Sequence, residues 1–208
     1  MITIEKQNRI LEIHKTVTSK TEYLDARERA ENNARNMLKE NPGVFDEKDL
    51  NTFLTYCNTE RVPKDHFSDK INEDNTCTRF ELSFKGMNRN LMISTIDECN
   101  KWIKLFWDAD EEWFVTLHKF WKINEVAGAG TGFPTMLLYL KDPEKFNVWL
   151  PYLNDSLSLL IDYKIPGKKS IENYILYNHF INSEFKQGLG LKPQEVDYIL
   201  YRIKAELN

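Results

Sequence analysis

The sequence is short of cysteine and of positive charge, and each shortage excludes a class of protein. Its three cysteines, Cys57, Cys77 and Cys99, lie about twenty residues apart and form no C-x-x-C pair. Neither a disulfide framework nor a structural zinc site is therefore expected, and a reducing cytoplasm is the expected compartment. The 28 Lys and Arg residues are outnumbered by 32 Asp and Glu residues. This balance argues against nonspecific coating of nucleic acid, which needs many cations to displace phosphate counterions.

The sequence also has no long apolar run. No stretch approaches the roughly 18 apolar residues that cross a bilayer, and Glu5 and Lys6 do not fit an export signal. We expect neither a membrane partner nor export. What is present is enough to form a core, since 41% of the residues are hydrophobic, with 12 Phe, 9 Tyr and 5 Trp. We expect a single domain over 1–208, with division into a helical part, 1–76, and a second part, 77–208, as the alternative.

Apolar residues at helical spacing predict an all-α fold with at most one short strand. A charged helix is predicted over Thr21–Glu40, ended by Pro42 and Gly43, with its charges on a solvated face. Asp46 is predicted to cap the next helix. Further helices are predicted over 3–16, 111–121, 135–140, 152–162 and 193–206.

The middle of the chain is less regular. Residues 58–76 are polar without periodicity, which indicates a surface loop. Residues 79–86 alternate apolar and polar side chains, which predicts a short strand. Ser94, with Asp97 three residues later, predicts a capping box at the start of a helix.

The most informative stretch is 126–132, Val-Ala-Gly-Ala-Gly-Thr-Gly, where a helix is predicted to end, turn on glycines and restart. This layout resembles the helix-hairpin-helix motif, with Val126 as the apolar anchor before the Gly128-Ala129-Gly130 turn. Glycines let the backbone approach closely, and amides at a helix start favour an anion. A DNA phosphate suits such a site. The competing interpretation is a turn between helices that binds nothing.

The sequence departs from the motif at one position, and another phosphate-binding motif is excluded. Pro134 stands where the family usually has a small residue, although proline is sterically acceptable in the first turn of a helix. No Gly-Lys-Ser/Thr follows the turn, so it is not a Walker loop. Helix-hairpin-helix glycosylases place an aspartate about twenty residues beyond the turn, but Trp149 stands near that position, with Asp142 and Asp155 to either side. The tryptophan at this position argues against base excision, so a base-excision glycosylase is only the third functional option.

A second resemblance covers roughly 88–202. The run 128–149, containing Met-Leu-Leu-Tyr-Leu and then Asp-Pro-Glu-Lys-Phe-Asn-Val-Trp, resembles N-terminal regions of McrB-type modification-dependent restriction proteins, as does the tail 191–201. The resemblance implies a domain that recognises DNA carrying a modified cytosine in antiviral defence. It also implies two partners, an AAA+ GTPase motor and a nuclease subunit. The sequence has no Walker pattern of its own.

Several side chains are candidates for DNA contact beside the turn. Cations and an amide could reach phosphates or base edges, and aromatic rings could stack on a base, although a solvated edge and an aromatic core explain the same residues. The DNA-binding candidates are Gly128, Ala129, Gly130, Thr131, Gly132, Lys119, Lys122, Arg79, Lys85, Asn88 and Arg89, and the base-pocket candidates are Trp102, Trp107, Trp121 and Trp149.

No catalytic or metal-binding pattern occurs in the sequence. Its four histidines, His14, His66, His118 and His179, lack metal-ligand spacing, and no nucleophile motif is present. We therefore expect neither a cofactor nor a metal, and a non-enzymatic DNA-recognition domain. The alternative from another class is a protein–protein adaptor, in which apolar faces dock a partner and the glycine segment is only a turn.

Overall fold

The computed structural model of the chain describes residues 2–18, 21–57, 87–123, 125–150, 153–160, 169–196, 199–200 and 203. Helices make up 77% of the interpretable residues, with no strand among them, which confirms the predicted all-α fold for that part of the chain. The predicted loop and strand, 58–76 and 79–86, lie outside the described residues. The helices are α1 (Ile4–Thr18), α2 (Thr21–Glu40), α3 (Glu47–Cys57), α4 (Met87–Ser94), α5 (Ile96–Asp108), α6 (Trp113–Ile123), α7 (Gly132–Lys141), α8 (Leu153–Leu160) and α9 (Ile171–Phe180).

Two further helical segments complete the described chain. Helix α9 continues directly into a π-helix, Ile181–Gln187, and residues 193–196, 199, 200 and 203 are also helical. The Glu195 carboxylate accepts a hydrogen bond from the Lys192 amide at 2.8 Å, as the third residue of a helix does when it reaches back to the cap. The helix predicted after Pro193 is therefore observed wherever the structure describes it.

The connection between α2 and α3 follows the sequence prediction. Gly43 adopts a φ of +73°, and a Cβ at this position would lie 2.4 Å from the Asn100 carbonyl oxygen, so glycine is needed both for the turn and for its packing on α5. The Asp46 carboxylate accepts a hydrogen bond from the Asp49 amide at 2.8 Å, which confirms the predicted cap of α3.

The predicted capping box at Ser94 is wrong. Residues before it form a separate short helix, α4, and the Ser94 hydroxyl donates to the Leu91 carbonyl at 2.8 Å. The residue that precedes α5 is Thr95, whose side chain makes no capping hydrogen bond and instead donates to the same Leu91 carbonyl at 3.1 Å. Short hydroxyl side chains compete for local carbonyls, and here the end of α4 takes both hydroxyls.

Helix α7 lies at the centre of the molecule. All nine residues from Gly132 to Leu140 are buried, and α2, α5 and α6 pack around them. The helix begins before the predicted start at Thr135. A helix that is apolar on every side is expected in the interior of a protein. Neither α7 nor any other described helix is long and apolar enough to cross a membrane.

The charges of α2 do not all lie on a solvated face, which corrects the sequence prediction. Glu31 is fully buried, and Arg27 is 1% exposed. The Glu31 carboxylate accepts hydrogen bonds from Arg27 at 2.7 Å, from Arg35 at 2.9 Å and from the Tyr139 hydroxyl at 3.0 Å. Because a buried charge is tolerated only when it is paired and hydrogen-bonded, this cluster joins α2 to the central helix α7.

Candidate nucleic-acid interface

The predicted change from helix to turn to helix occurs between α6 and α7. Helix α6 ends at Ile123, and α7 begins at Gly132. Val126, the predicted anchor, is fully buried, and its carbonyl accepts a hydrogen bond from the Ala129 amide at 3.2 Å. Residues 125–131, called the glycine turn below, therefore close on themselves through a backbone bond. This bond occupies one of the amides predicted to meet a phosphate.

Gly128 faces the protein rather than the solvent. Its φ is +79°, and a Cβ built there would lie 2.4 Å from the Asn88 carbonyl oxygen and 3.1 Å from the Leu91 Cβ. Any other L-residue would be strained by this backbone conformation and would collide with α4. The close approach made possible by Gly128 is thus used for packing on α4.

Gly130 is the open position of the glycine turn. It is exposed, and nothing lies within 4 Å of the place where a Cβ would be. Its neighbours Ala129 and Thr131 are each 7% exposed, and Gly132 is buried in the first turn of α7. Of the five consecutive residues from Gly128 to Gly132 proposed as DNA contacts, Gly130 alone is therefore fully open to an incoming group.

The charges around the turn are mixed. Lys119 and Lys122 are exposed on α6, and neither forms an ion pair with a described residue. Lys101 on α5 contacts the Glu125 carboxylate at 2.8 Å and the Glu98 carboxylate at 3.2 Å. These hydrogen bonds raise the pKa of the Lys101 ammonium, and the bond from Lys101 lowers the pKa of Glu125. Two lysines without an ion pair to a described residue thus precede the turn, while a cluster of two carboxylates and one ammonium, which keeps a net negative charge, lies at its start.

The remaining polar candidates are only partly available. The Asn88 carbonyl lies against Gly128, so this residue supports the turn. Arg89 is half-buried and donates to the Asn51 side chain at 3.0 Å. Arg79 and Lys85 lie outside the described residues. The structure therefore brings Asn88 to the turn and links Arg89 to α3.

The four tryptophans of the predicted base pocket do not lie together in one cluster. Trp102 lies in one aromatic cluster, Trp121 and Trp149 lie in another, and Trp107 is half-buried. Trp102 is 2% exposed, with its ring 5.1 Å from that of Phe120. Trp149 is fully buried, with its ring 5.4 Å from that of Trp121. Trp107 and Trp121 are half-buried. Neither Trp102 nor Trp149 presents a free face to solvent, so only Trp107 and Trp121 offer surface for stacking.

Side chains make most of the hydrogen bonds that hold the segment after α7, residues 142–150. The Tyr174 hydroxyl donates to the Asn147 carbonyl at 3.0 Å, and the Tyr177 hydroxyl donates to the Val148 carbonyl at 3.0 Å. The Lys186 ammonium donates to the Pro143 carbonyl at 2.6 Å. Buried irregular backbone needs partners for its polar groups, and α9 with its π-helix supplies them. Sequence reasoning missed this support, because the donors lie about thirty to forty residues further along the chain.

Two asparagines of the same region extend this support. Asn178 and Asn182 both donate to the Lys145 carbonyl, at 2.7 Å and 2.9 Å, and both accept hydrogen bonds from the Asn147 amide. Their spacing of four residues is a signal visible in the sequence, since it places both amides on one helical face. The residues that carry the restriction-protein resemblance therefore include a tightly bonded part of the core.

The other chemically active side chains of this region have structural partners. The Asp142 carboxylate, near the position of the glycosylase aspartate, accepts hydrogen bonds from the Glu144 and Lys145 amides at 3.1 Å each. Burial raises the pKa of the Cys99 thiol to about 12 and that of Cys57 well above its ordinary value, so both thiols are neutral near pH 7. Within the described ranges, no group of three or more His, Cys, Asp or Glu side chains could hold a metal ion.

No protein-family model matches the chain, and neither does any curated protein or solved structure.

Proposed function

We propose that this chain binds the backbone of DNA at the glycine turn, and that its role is recognition rather than catalysis. The observation that carries the proposal is the open position of Gly130, just before a helix of ten residues and free of atoms within 4 Å of its missing side chain. Glycine lets a phosphate oxygen approach the backbone, and the helix start contributes a partial positive charge of about one half.

The contact area of the proposed site is small. Because Gly128 lies against α4 and Gly132 is buried, the phosphate contact centres on Gly130, with Lys119 and Lys122 adding long-range attraction. Each neutralised phosphate changes the slope of log affinity against log salt by about −0.9. Two lysines therefore give an expected slope of about −2. This is a weak, salt-sensitive interaction that suits a domain working beside other DNA-binding parts.

The restriction-protein resemblance extends this proposal to a specific setting. In that setting the chain reads DNA with a modified cytosine in antiviral defence, in the cytoplasm, together with an AAA+ GTPase motor and a nuclease subunit. A base held by stacking would lie on the half-buried Trp107 or Trp121, because Trp102 and Trp149 are buried in the core. The preference for a modified base is a separate claim from backbone binding and needs its own measurement.

A second candidate function, a protein–protein adaptor, is favoured by exposed apolar side chains next to the glycine turn. Met87 and Leu91 lie one turn apart on α4 and are 75% and 38% exposed, and Ile123 at the end of α6 is 53% exposed. Leu91 also lies beside Gly128, since its Cβ would be 3.1 Å from a Cβ built at that glycine. Contiguous exposed apolar groups mark docking surfaces, and Met87 and Leu91, four residues apart, lie on the same face of α4. The same edge of the molecule thus supports both candidates.

The experiment that separates the two candidates is DNA binding measured by fluorescence anisotropy over a salt series. The test variant is Lys119→Gln with Lys122→Gln. The matched control, Lys15→Gln with Lys39→Gln, removes the same charge from exposed positions on α1 and α2. Matched duplexes with unmodified and modified cytosine test the base preference in the same titrations.

If the chain binds the DNA backbone, its affinity for DNA falls as the salt concentration rises. Only Lys119→Gln with Lys122→Gln is then expected to bring the slope of log affinity against log salt towards zero. A duplex that the wild type does not bind at 50 mM salt would rule the proposal out. Equal losses of DNA affinity in both double variants would show that charge attracts DNA generally and that α6 holds no specific site. An adaptor, by contrast, would capture a partner in a salt-insensitive way that Met87→Ser with Leu91→Ser abolishes.

A further inference from the structure

We draw no further inference here: the strongest candidate, the apolar cleft of about 250 Å³ between α1 and α8, with Ile10, Ile13 and Leu160 at its floor and Lys6 and Arg9 at its rim, is smaller than the usual small-molecule site, its two cations already contact Leu160 and Glu12, and nothing in the structure shows what covers it.

Discussion

Two irregular connections flank the central helix α7, and their backbones are used in different ways. The glycine turn, on one side, keeps Gly130 exposed and unobstructed, while its other glycine, Gly128, packs against α4. The 142–150 connection, on the other side, donates or accepts hydrogen bonds with side chains of α9 and its π-helix, and residues 146–150 are buried. Both segments look like motifs in the sequence, but the carbonyls of Asn147 and Val148 bond to side chains of the fold, whereas Gly130 is open to a ligand.

The difference shows what separates an irregular segment of the core from one that can bind a ligand. The two kinds differ in where their backbone polar groups find hydrogen-bond partners. When side chains elsewhere in the fold take those groups, as Tyr174, Tyr177 and Lys186 do for 142–150, the segment is part of the core. When a position is exposed and free of neighbours, as Gly130 is, an external group can be its partner.

The largest expected loss of unfolding free energy comes from a substitution in the 142–150 connection. Trp149→Ala removes a fully buried ring that contacts Trp121, Tyr174 and Tyr177. Cavity formation in a core costs about 3–5 kcal/mol for this change. Urea unfolding followed by circular dichroism would measure it. A loss of under about 1 kcal/mol, within the range of surface substitutions, would contradict the account of 142–150 as core.

The next prediction compares the loss of stability when each of two glycines of the same turn is replaced by alanine. Gly128→Ala places a side chain at a φ of +79° and 2.4 Å from the Asn88 carbonyl oxygen. Left-handed strain alone costs about 1–2 kcal/mol, and the displacement of α4 adds to it. Gly130→Ala meets no atom, so its effect on unfolding free energy should stay within about 0.5 kcal/mol. Similar losses of unfolding free energy in both variants would contradict the conclusion that Gly128 packs against α4 while Gly130 is open to solvent.

An effect of similar size is expected from the loss of a single hydroxyl. Tyr177→Phe leaves the ring in place but removes the donor to the Val148 carbonyl, which is 3.0 Å away and buried. An unsatisfied buried carbonyl costs about 1–3 kcal/mol. The control is Tyr56→Phe, on a half-buried side chain of α3 with no hydrogen bond to a described residue. Equal stability changes in the two variants would show that the hydroxyl does not support the connection.

A pH-dependent effect is expected from Lys186, which is 8% exposed. Burial lowers its pKa from the ordinary 10.5 to about 8. Between these two values the unfolded chain binds more protons at this side chain than the folded chain does, so the Lys186 contribution to stability rises with pH across that window. Comparing urea midpoints of the wild type and Lys186→Met from pH 7.5 to 10 isolates this contribution. A difference that stays constant with pH would contradict the proposed shift.

The regular part of the fold could be predicted from local signals. Helix α2 has the predicted bounds, and Asp46 caps α3, because charge, proline and capping chemistry act within a few residues of each other. Local signals failed at Ser94, where two hydroxyls could bond to a nearby carbonyl in place of capping the next helix.

Burial of charge and orientation of the turn could not be predicted in this way. Arg27, Glu31 and Arg35 have the spacing of a solvated ion-pair ladder, and only the long-range contact with Tyr139 shows that the carboxylate is buried. Gly128 and Gly130 likewise look equivalent in the sequence, and only the packing of α4 against one of them distinguishes the two. The location of the turn could therefore be predicted from the sequence, whereas which of its glycines is open to an incoming group could not.

The most direct test of the proposed site compares Gly130→Asp with Gly130→Ala in anisotropy titrations against one DNA duplex at low salt. Both variants should fold, because nothing lies near the added atoms, and thermal melts would verify this. The account predicts that the alanine variant binds within about threefold of the wild type, while the aspartate variant loses binding by about tenfold or more, because a carboxylate at the contact repels a phosphate. Unchanged binding by a folded Gly130→Asp protein would contradict the claim that DNA contacts the glycine turn.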